Sequence, residues 1–73
     1  MTWKEITRRI IAENYPVGST FTLPDIYAYA DQFQAAFPHN AHIEDKIRQT
    51  LQFLRDEGTL DFVDNNGAYR RLK

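Results

Sequence analysis

The segment from Asn40 to Leu72 joins a long amphipathic helix to a β-hairpin with no linker between them. Apolar residues recur at helical spacing through its first part, at Ile43, Ile47, Leu51 and Leu54. Asn40 is the expected N-cap of this helix. Gly58 stands where a C′ residue would end it in a left-handed turn. The pattern therefore predicts one well-delimited helix with a single buried stripe.

The hairpin is indicated by alternation and by turn chemistry. Leu60 and Phe62 alternate with polar neighbours, as in a half-buried strand. Asn66-Gly67 is a strong tight-turn signal. Tyr69 and Leu72 are expected to bring the returning strand back to the core.

A first helix is predicted at the other end of the chain. Thr2 and Glu5 have the spacing of a capping box. Trp3 opens the apolar stripe, which favours core packing over stacking on bases. The helix should stop near Asn14, because the Pro16-Val17-Gly18 segment that follows breaks helices.

A short strand and a second helix come next. Phe21 is expected in the strand, and Thr22 with Asp25 forms a second capping box. Pro38 should end the second helix. Its predicted buried stripe is Ile26, Tyr29, Ala30, Phe33 and Phe37.

The order of these elements predicts an α+β fold, a winged helix-turn-helix with three helices and a C-terminal β-hairpin wing. A chain of 73 residues is one domain at most, so we assign residues 1–73 to a single domain. In most proteins with this layout, one helix enters the DNA major groove and the wing meets the backbone.

Composition narrows the possible classes. Hydrophobic residues make up 42% and charged residues 26%, as in a folded soluble domain. The absence of cysteine excludes disulfides and thiolate zinc sites and fits a cytoplasmic setting. No apolar run approaches the roughly 20 residues that span a bilayer, so no membrane contact is expected. The net charge of −1 means that any DNA affinity must come from local patches.

The outward face of the third helix carries the candidate binding residues. At about 100° per residue, the buried stripe places outside His42, Asp45, Gln49 and Gln52. Lys46 and Arg48 flank this row. Amide and cationic side chains can pair with adenine and guanine edges. The alternative is a merely solvated face, with Glu44 and Arg48 as an ordinary ion pair one turn apart.

The hairpin supplies a second set of candidates. Arg70, Arg71 and Lys73 could contact phosphate, and Asn65 and Asn66 at the tip could donate to backbone oxygens. Turn chemistry and a solvating tail explain the same residues equally well.

Two catalytic look-alikes are set aside. Pro24-Asp25 with Glu44-x-Lys46 imitates the PD…ExK pattern of nucleases, but both segments are predicted helix starts rather than adjoining strands. A metal site would need more than His39, His42 and Asp45, and no further ligand completes a tetrahedral set. We therefore expect no catalytic, metal or cofactor site, and no enzyme in this chain alone.

Three segments, "FTLPDIYAYADQF", "NAHIEDKIRQTLQFLRDEG" and "YRRL", resemble the C-terminal domain of the Dam-replacing family of restriction endonucleases. The similarity runs from about Trp3 to Leu72. Those enzymes cut GATC sites only when the adenine is methylated. The resemblance implies a winged helix that reads N6-methyladenine in duplex DNA, beside a separate N-terminal PD…ExK nuclease domain. That nuclease domain is absent here, so the chain would be an excised or stand-alone reader from a prokaryotic or phage setting.

The resemblance also implies where the reading residues lie. Groove contacts are expected from Asn40, His42, Lys46 and Gln49, with Arg48 and Gln52 at the edges. The chain departs from the family pattern at Ala41, where a polar residue is expected. It departs again in the wing, where basic residues are missing and Asp64 would repel phosphate.

Two other functions stay open at this point. One is a winged-helix transcription regulator that binds unmethylated DNA, and the other is a winged helix that binds protein. Regulators of the first kind usually dimerise, but no dimerisation helix or leftover apolar stripe is present. We therefore expect a monomer.

Overall fold

A three-stranded antiparallel sheet and four helices make up the computed structural model, which describes residues 2–64 and 67–73. The helices are α1 (Trp3–Asn14), α2 (Leu23–Tyr27), α3 (Ala30–Ala36) and α4 (Ile43–Asp56). The strands are β1 (Thr20–Thr22), β2 (Leu60–Phe62) and β3 (Ala68–Arg71). This is the α+β winged-helix arrangement that the sequence predicts. Both predicted capping boxes are formed, at Thr2 with Glu5 and at Thr22 with Asp25.

The wing is fixed to the body of the domain through its returning strand. β3 lies between β1 and β2, so Tyr69 faces Phe21 on one side and Phe62 on the other. The ring centroids are 5.9 Å and 5.3 Å from that of Tyr69. The N–H of Leu23 donates to the carbonyl of Gly67 at 2.9 Å, which ties the wing to the start of α2.

The predicted second helix is wrong in one respect, because it is two helices rather than one. The chain leaves α2 after Tyr27, and Tyr29 takes φ −93° and ψ 14° before α3 begins. The N–H of Tyr29 donates to the carbonyl of Ile26, one residue nearer than in an α-helix. Such a break requires neither glycine nor proline. Ile26 and Phe33 are both fully buried, so each segment packs its own face on the core.

The start of α4 also differs from the prediction. Its N-cap is His42, not Asn40, and the helix begins at Ile43. Asn40 instead accepts a hydrogen bond through Oδ1 from the N–H of His42 at 2.7 Å. Asparagine commonly bonds the backbone two residues on, which makes a turn rather than a cap. The C-terminal end of α4 is as predicted. Gly58 follows the C-cap Glu57 and takes the left-handed φ of +84°.

The prediction that Leu72 joins the core is wrong. Its side chain is 44% exposed, although its N–H donates to the carbonyl of Thr59 at 2.9 Å. Side chains alternate along β3, with Tyr69 inward and Arg70 outward. Leu72 falls on the outward phase of that alternation.

The aromatic side of the core joins α1 to α3. Trp3 stacks on Phe33 and Phe37, with ring centroids 5.3 Å and 4.5 Å apart. Such pairs stabilise a core beyond the area they bury. This contact confirms that Trp3 packs against the domain. The fully buried apolar residues around it are Ile6, Ile10, Ile11, Phe21, Ile26, Phe33, Ile47, Leu51, Leu54, Leu60 and Tyr69.

Glu57 connects the end of α4 to α1. Its carboxylate pairs with the Lys4 ammonium and, at 2.6 Å, with the Arg8 guanidinium. The hydrogen bond from Lys4 and the two positive charges hold the pKa of Glu57 below its ordinary value of 4.5. A carboxyl with a lowered folded pKa stabilises the fold above the unfolded value and loses that effect as the pH falls through the folded one.

We therefore expect Glu57→Gln to remove part of the acid sensitivity of this domain. Above pH 4.5 the wild type should melt at a higher temperature than the variant, and below it the difference should shrink. Thermal melts across a pH series measure this directly. A difference in melting temperature that stays constant down to strongly acidic pH would show that the two ion pairs contribute nothing to the stability of the fold.

Candidate nucleic-acid interface

The outward face of α4 is free of packing along its whole length. Its inward face buries Ile47, Thr50, Leu51 and Leu54. The hydroxyl of Thr50 donates to the carbonyl of Lys46 at 2.7 Å, so the polar group on this buried face is satisfied. Opposite lie the exposed side chains of His42, Asp45, Gln49 and Gln52. We call these four residues the α4 outer row.

The two cations that flank this row differ in their surroundings. Lys46 is half-buried on one side, whereas Arg48 is exposed on the other. Burial raises the pKa of Tyr27, Glu44 raises it further, and Arg48 opposes the shift. Burial also raises the pKa of Tyr69, again against the charge of Arg48. The charge of Arg48 thus acts on both phenols.

The turn before α4 is held by a residue that the sequence reasoning missed. Gln34 on α3 donates from Nε2 to the carbonyls of Phe37, Pro38 and Asn40, at 3.2, 3.1 and 3.4 Å. With the side-chain bond of Asn40 to His42, these contacts fix how the chain enters α4. The spacing of an exposed glutamine on a short helix does not indicate that it hydrogen-bonds to the following loop.

An open groove lies between α3 and the start of α4. Its walls include Asp31 and Gln34 from α3 and Glu44 and Asp45 from α4. The Nδ1 atom of His42 is 3.9 Å from the carboxylate of Asp45, and both side chains are largely exposed. The start of α4 is thus acidic. His42 is the side chain that lies within ion-pairing distance of the Asp45 carboxylate.

Arg55 joins α4 to the wing, and the sequence reasoning did not single it out. Its guanidinium lies 4.3 Å from the centre of the Phe62 ring and donates to Asp56 at 2.9 Å. A cation over an aromatic face is an attractive contact. The base of the wing and the last turns of α4 therefore form one surface.

Arg70 does not join the other candidates. It lies opposite Asp61 on β2 and Thr20 on β1 in the sheet register, and its exposed side chain alternates with the buried Tyr69. It thus occupies the outer face of the sheet, whereas α4 packs on the inner face. The predicted contacts of Asn65 and Asn66 lie outside the described residues.

The sequence matches the Dam-replacing HTH domain family over residues 10–71. The match runs from the second half of α1 to the end of β3 and covers every predicted binding residue except Lys73. The chain belongs to the Dam-replacing HTH domain family. Helix-turn-helix domains bind DNA and are in general non-catalytic. Within this Dam-replacing HTH domain, α4 follows the turn and occupies the position of the recognition helix, whose first residues meet base edges in such folds.

The charge on this recognition helix is balanced. Lys46, Arg48 and Arg55 stand against Glu44, Asp45 and Asp56. A helix of balanced charge attracts phosphate less than a strongly basic one does. Its outer row offers hydrogen-bonding groups instead.

The described part of the Dam-replacing HTH domain has neither a metal-binding cluster nor a membrane-spanning helix. Within residues 2–64 and 67–73, no three His, Cys, Asp or Glu side chains are grouped so that they could hold a metal ion. Within the same ranges, every helix is too short or too polar to cross a membrane.

Proposed function

We propose that this domain reads N6-methyladenine in duplex DNA, at a GATC-like site, through the outer row of α4. In this proposal it is the specificity part of a modification-dependent restriction endonuclease whose nuclease domain is separate. The observation that carries the proposal is the outer row itself: two exposed glutamines, flanked by cations, on the recognition helix of a Dam-replacing HTH domain.

The chemistry of methyladenine suits an amide. Methylation leaves one N–H donor on the exocyclic amine and adds an apolar methyl group in the major groove. In the base pair that N–H is donated to thymine, so a glutamine can donate to N7 of the same base while its methylene groups pack against the methyl. In GATC the two adenines occupy adjacent base pairs on opposite strands. One helix can therefore reach both methyl groups from a single groove.

Each candidate binding residue has a role in this proposal. Gln49, at the middle of the outer row, pairs with an adenine edge, and His42 contacts the groove near the start of the helix. Lys46 reaches the groove from the other side. Arg48 and Gln52 act at its edges, and Asn40 contributes through the turn that it stabilises. Contacts from Asn65 and Asn66 at the wing tip remain predictions, and Arg70 would meet DNA only if the duplex reached the outer face of the sheet.

We expect the purified chain to bind a doubly methylated GATC duplex more tightly than an unmethylated one. Burying one methyl group contributes about 0.8 kcal/mol, which is roughly a fourfold gain in affinity for each methyl. Fluorescence anisotropy with unmethylated, singly methylated and doubly methylated duplexes at one salt concentration measures the gain. Equal binding to all three would reduce the domain to a general DNA binder.

A protein-interaction domain is the second candidate, because the recognition helix has balanced charge and the whole chain has a net charge of −1. The dependence of binding on salt separates the two candidates. A domain that binds DNA should lose affinity steeply as salt rises, since phosphate contacts release counterions. No measurable DNA binding even at low salt would favour the protein-interaction candidate.

A further inference from the structure

A second groove lies on the side of the domain that the outer row of α4 does not reach. It runs between α1, the turn that follows α4 and the end of β3, and it is lined by Arg8, Ile11, Ala12, Thr59, Arg71 and Lys73. We call it the α1 groove. α1 packs against the buried side of α4. The α1 groove and Gln49 therefore face different directions.

The α1 groove combines an apolar floor with basic walls. Ile11 and Ala12 supply the floor from α1, while Arg71 at the end of β3 and Lys73 beyond it supply cations. The guanidinium of Arg71 donates to main-chain oxygens of Tyr15 and Lys73, at 2.6 and 2.8 Å. These bonds hold the side chain in place.

The cations of this groove are not all compensated. Arg8 shares the carboxylate of Glu57 with Lys4. Among the residues that the structure describes, neither Arg71 nor Lys73 forms an ion pair with an acidic side chain. Two positive charges thus border an apolar surface without an acidic side chain paired to them.

The two end segments of the chain, which supply most of the lining of this groove, carry more basic than acidic side chains. Residues 1–22 and 67–73 hold six basic and two acidic side chains, whereas residues 23–66 hold three basic and eight acidic ones. The first set forms α1, β1 and β3, and the second includes the whole recognition helix. Charge therefore favours a negative partner for the elements that line the α1 groove.

We propose that the α1 groove binds an acidic polypeptide segment. Carboxylates of the segment pair with Arg71 and Lys73, and one apolar side chain between them packs on Ala12 and Ile11. Charge complementarity selects an acidic partner, and the apolar floor favours a polypeptide over a duplex, whose phosphate backbone offers nothing apolar to bury. This proposal does not depend on what α4 reads.

Fluorescence anisotropy with a labelled peptide of alternating glutamate and leucine tests the proposal. The matched control peptide has glutamine in place of every glutamate. We expect saturable binding of the first peptide and none of the second. Lys73→Gln and Arg71→Gln should each weaken binding by about threefold to fivefold, the effect of one exposed ion pair. Lys46→Gln, on α4, should leave peptide binding unchanged.

Lys73→Gln is the decisive variant, because Arg71 also supports the backbone at Tyr15. Amide chemical shifts during the peptide titration give an independent map. Movement of Arg8, Ala12 and Thr59 would support the proposal. Shifts confined to α4, or equal binding of the glutamine peptide, would overturn it.

Two further outcomes would assign the groove to another occupant and also overturn the proposal. One is that a DNA duplex moves the amides of the α1 groove while the acidic peptide does not. The other is concentration-dependent self-association that Lys73→Gln abolishes, which would make a second copy of the chain the occupant.

Discussion

Gln49→Ala is expected to weaken binding to a doubly methylated GATC duplex by roughly twentyfold, since the side chain supplies a hydrogen bond to N7 of about 1 kcal/mol and a contact with the methyl group of about 0.8 kcal/mol. The melting temperature should stay nearly unchanged, because the side chain is exposed and packs on nothing in the core. Anisotropy titrations and thermal melts on the same preparation measure both quantities. A variant that binds like the wild type would show that the outer row is not the reading surface.

Two companion variants make this experiment specific. Glu13→Gln changes an exposed residue on α1 and should leave DNA binding unchanged. Arg48→Ala should weaken binding to methylated and unmethylated duplexes alike and reduce the salt dependence by about one phosphate contact. A loss confined to the methylated duplex would place Arg48 on a base edge instead.

Phe33→Ala should remove a large part of the stability of the domain. The Phe33 side chain is fully buried and stacks on Trp3. Removing such a ring costs about 3 to 5 kcal/mol. A domain of this length has a total stability of roughly 4 to 11 kcal/mol. The midpoint of thermal unfolding should therefore fall by roughly 15 °C or more.

Phe53→Ala is the matched control for that substitution. Phe53 is the same residue type, but it is 52% exposed on α4. Its loss should change the stability by no more than about 0.5 kcal/mol, as at most surface positions. Similar midpoints for the two variants would contradict the core described above.

The sequence was most informative where one residue type meets one backbone demand. Thr2 with Glu5 and Thr22 with Asp25 marked two helix starts, because each pair satisfies free N–H groups at a helix end. Gly58 marked the end of α4, where φ is positive. The stripe of α4 predicted its outer row, because helical geometry alone separates the two faces.

The sequence was uninformative where the structure depends on contacts between residues that are distant in the chain. The break at Tyr29 and the exposure of Leu72 depend on how neighbouring elements pack, which a local sequence pattern does not show. Arg70 looked like a member of the reading surface until the sheet register placed it across from Asp61. Gln34 acts through three carbonyls of a loop whose path the spacing of residues could not show.

A cycle of four affinities tests whether the outer row of α4 senses the methyl groups. Wild type and Gln49→Ala are each titrated with unmethylated and doubly methylated GATC duplexes at the same salt concentration. We expect the wild type to prefer methylated DNA, and we expect this preference to shrink or disappear in Gln49→Ala. A wild type without any preference, or a variant that keeps the full preference while binding more weakly, would contradict it.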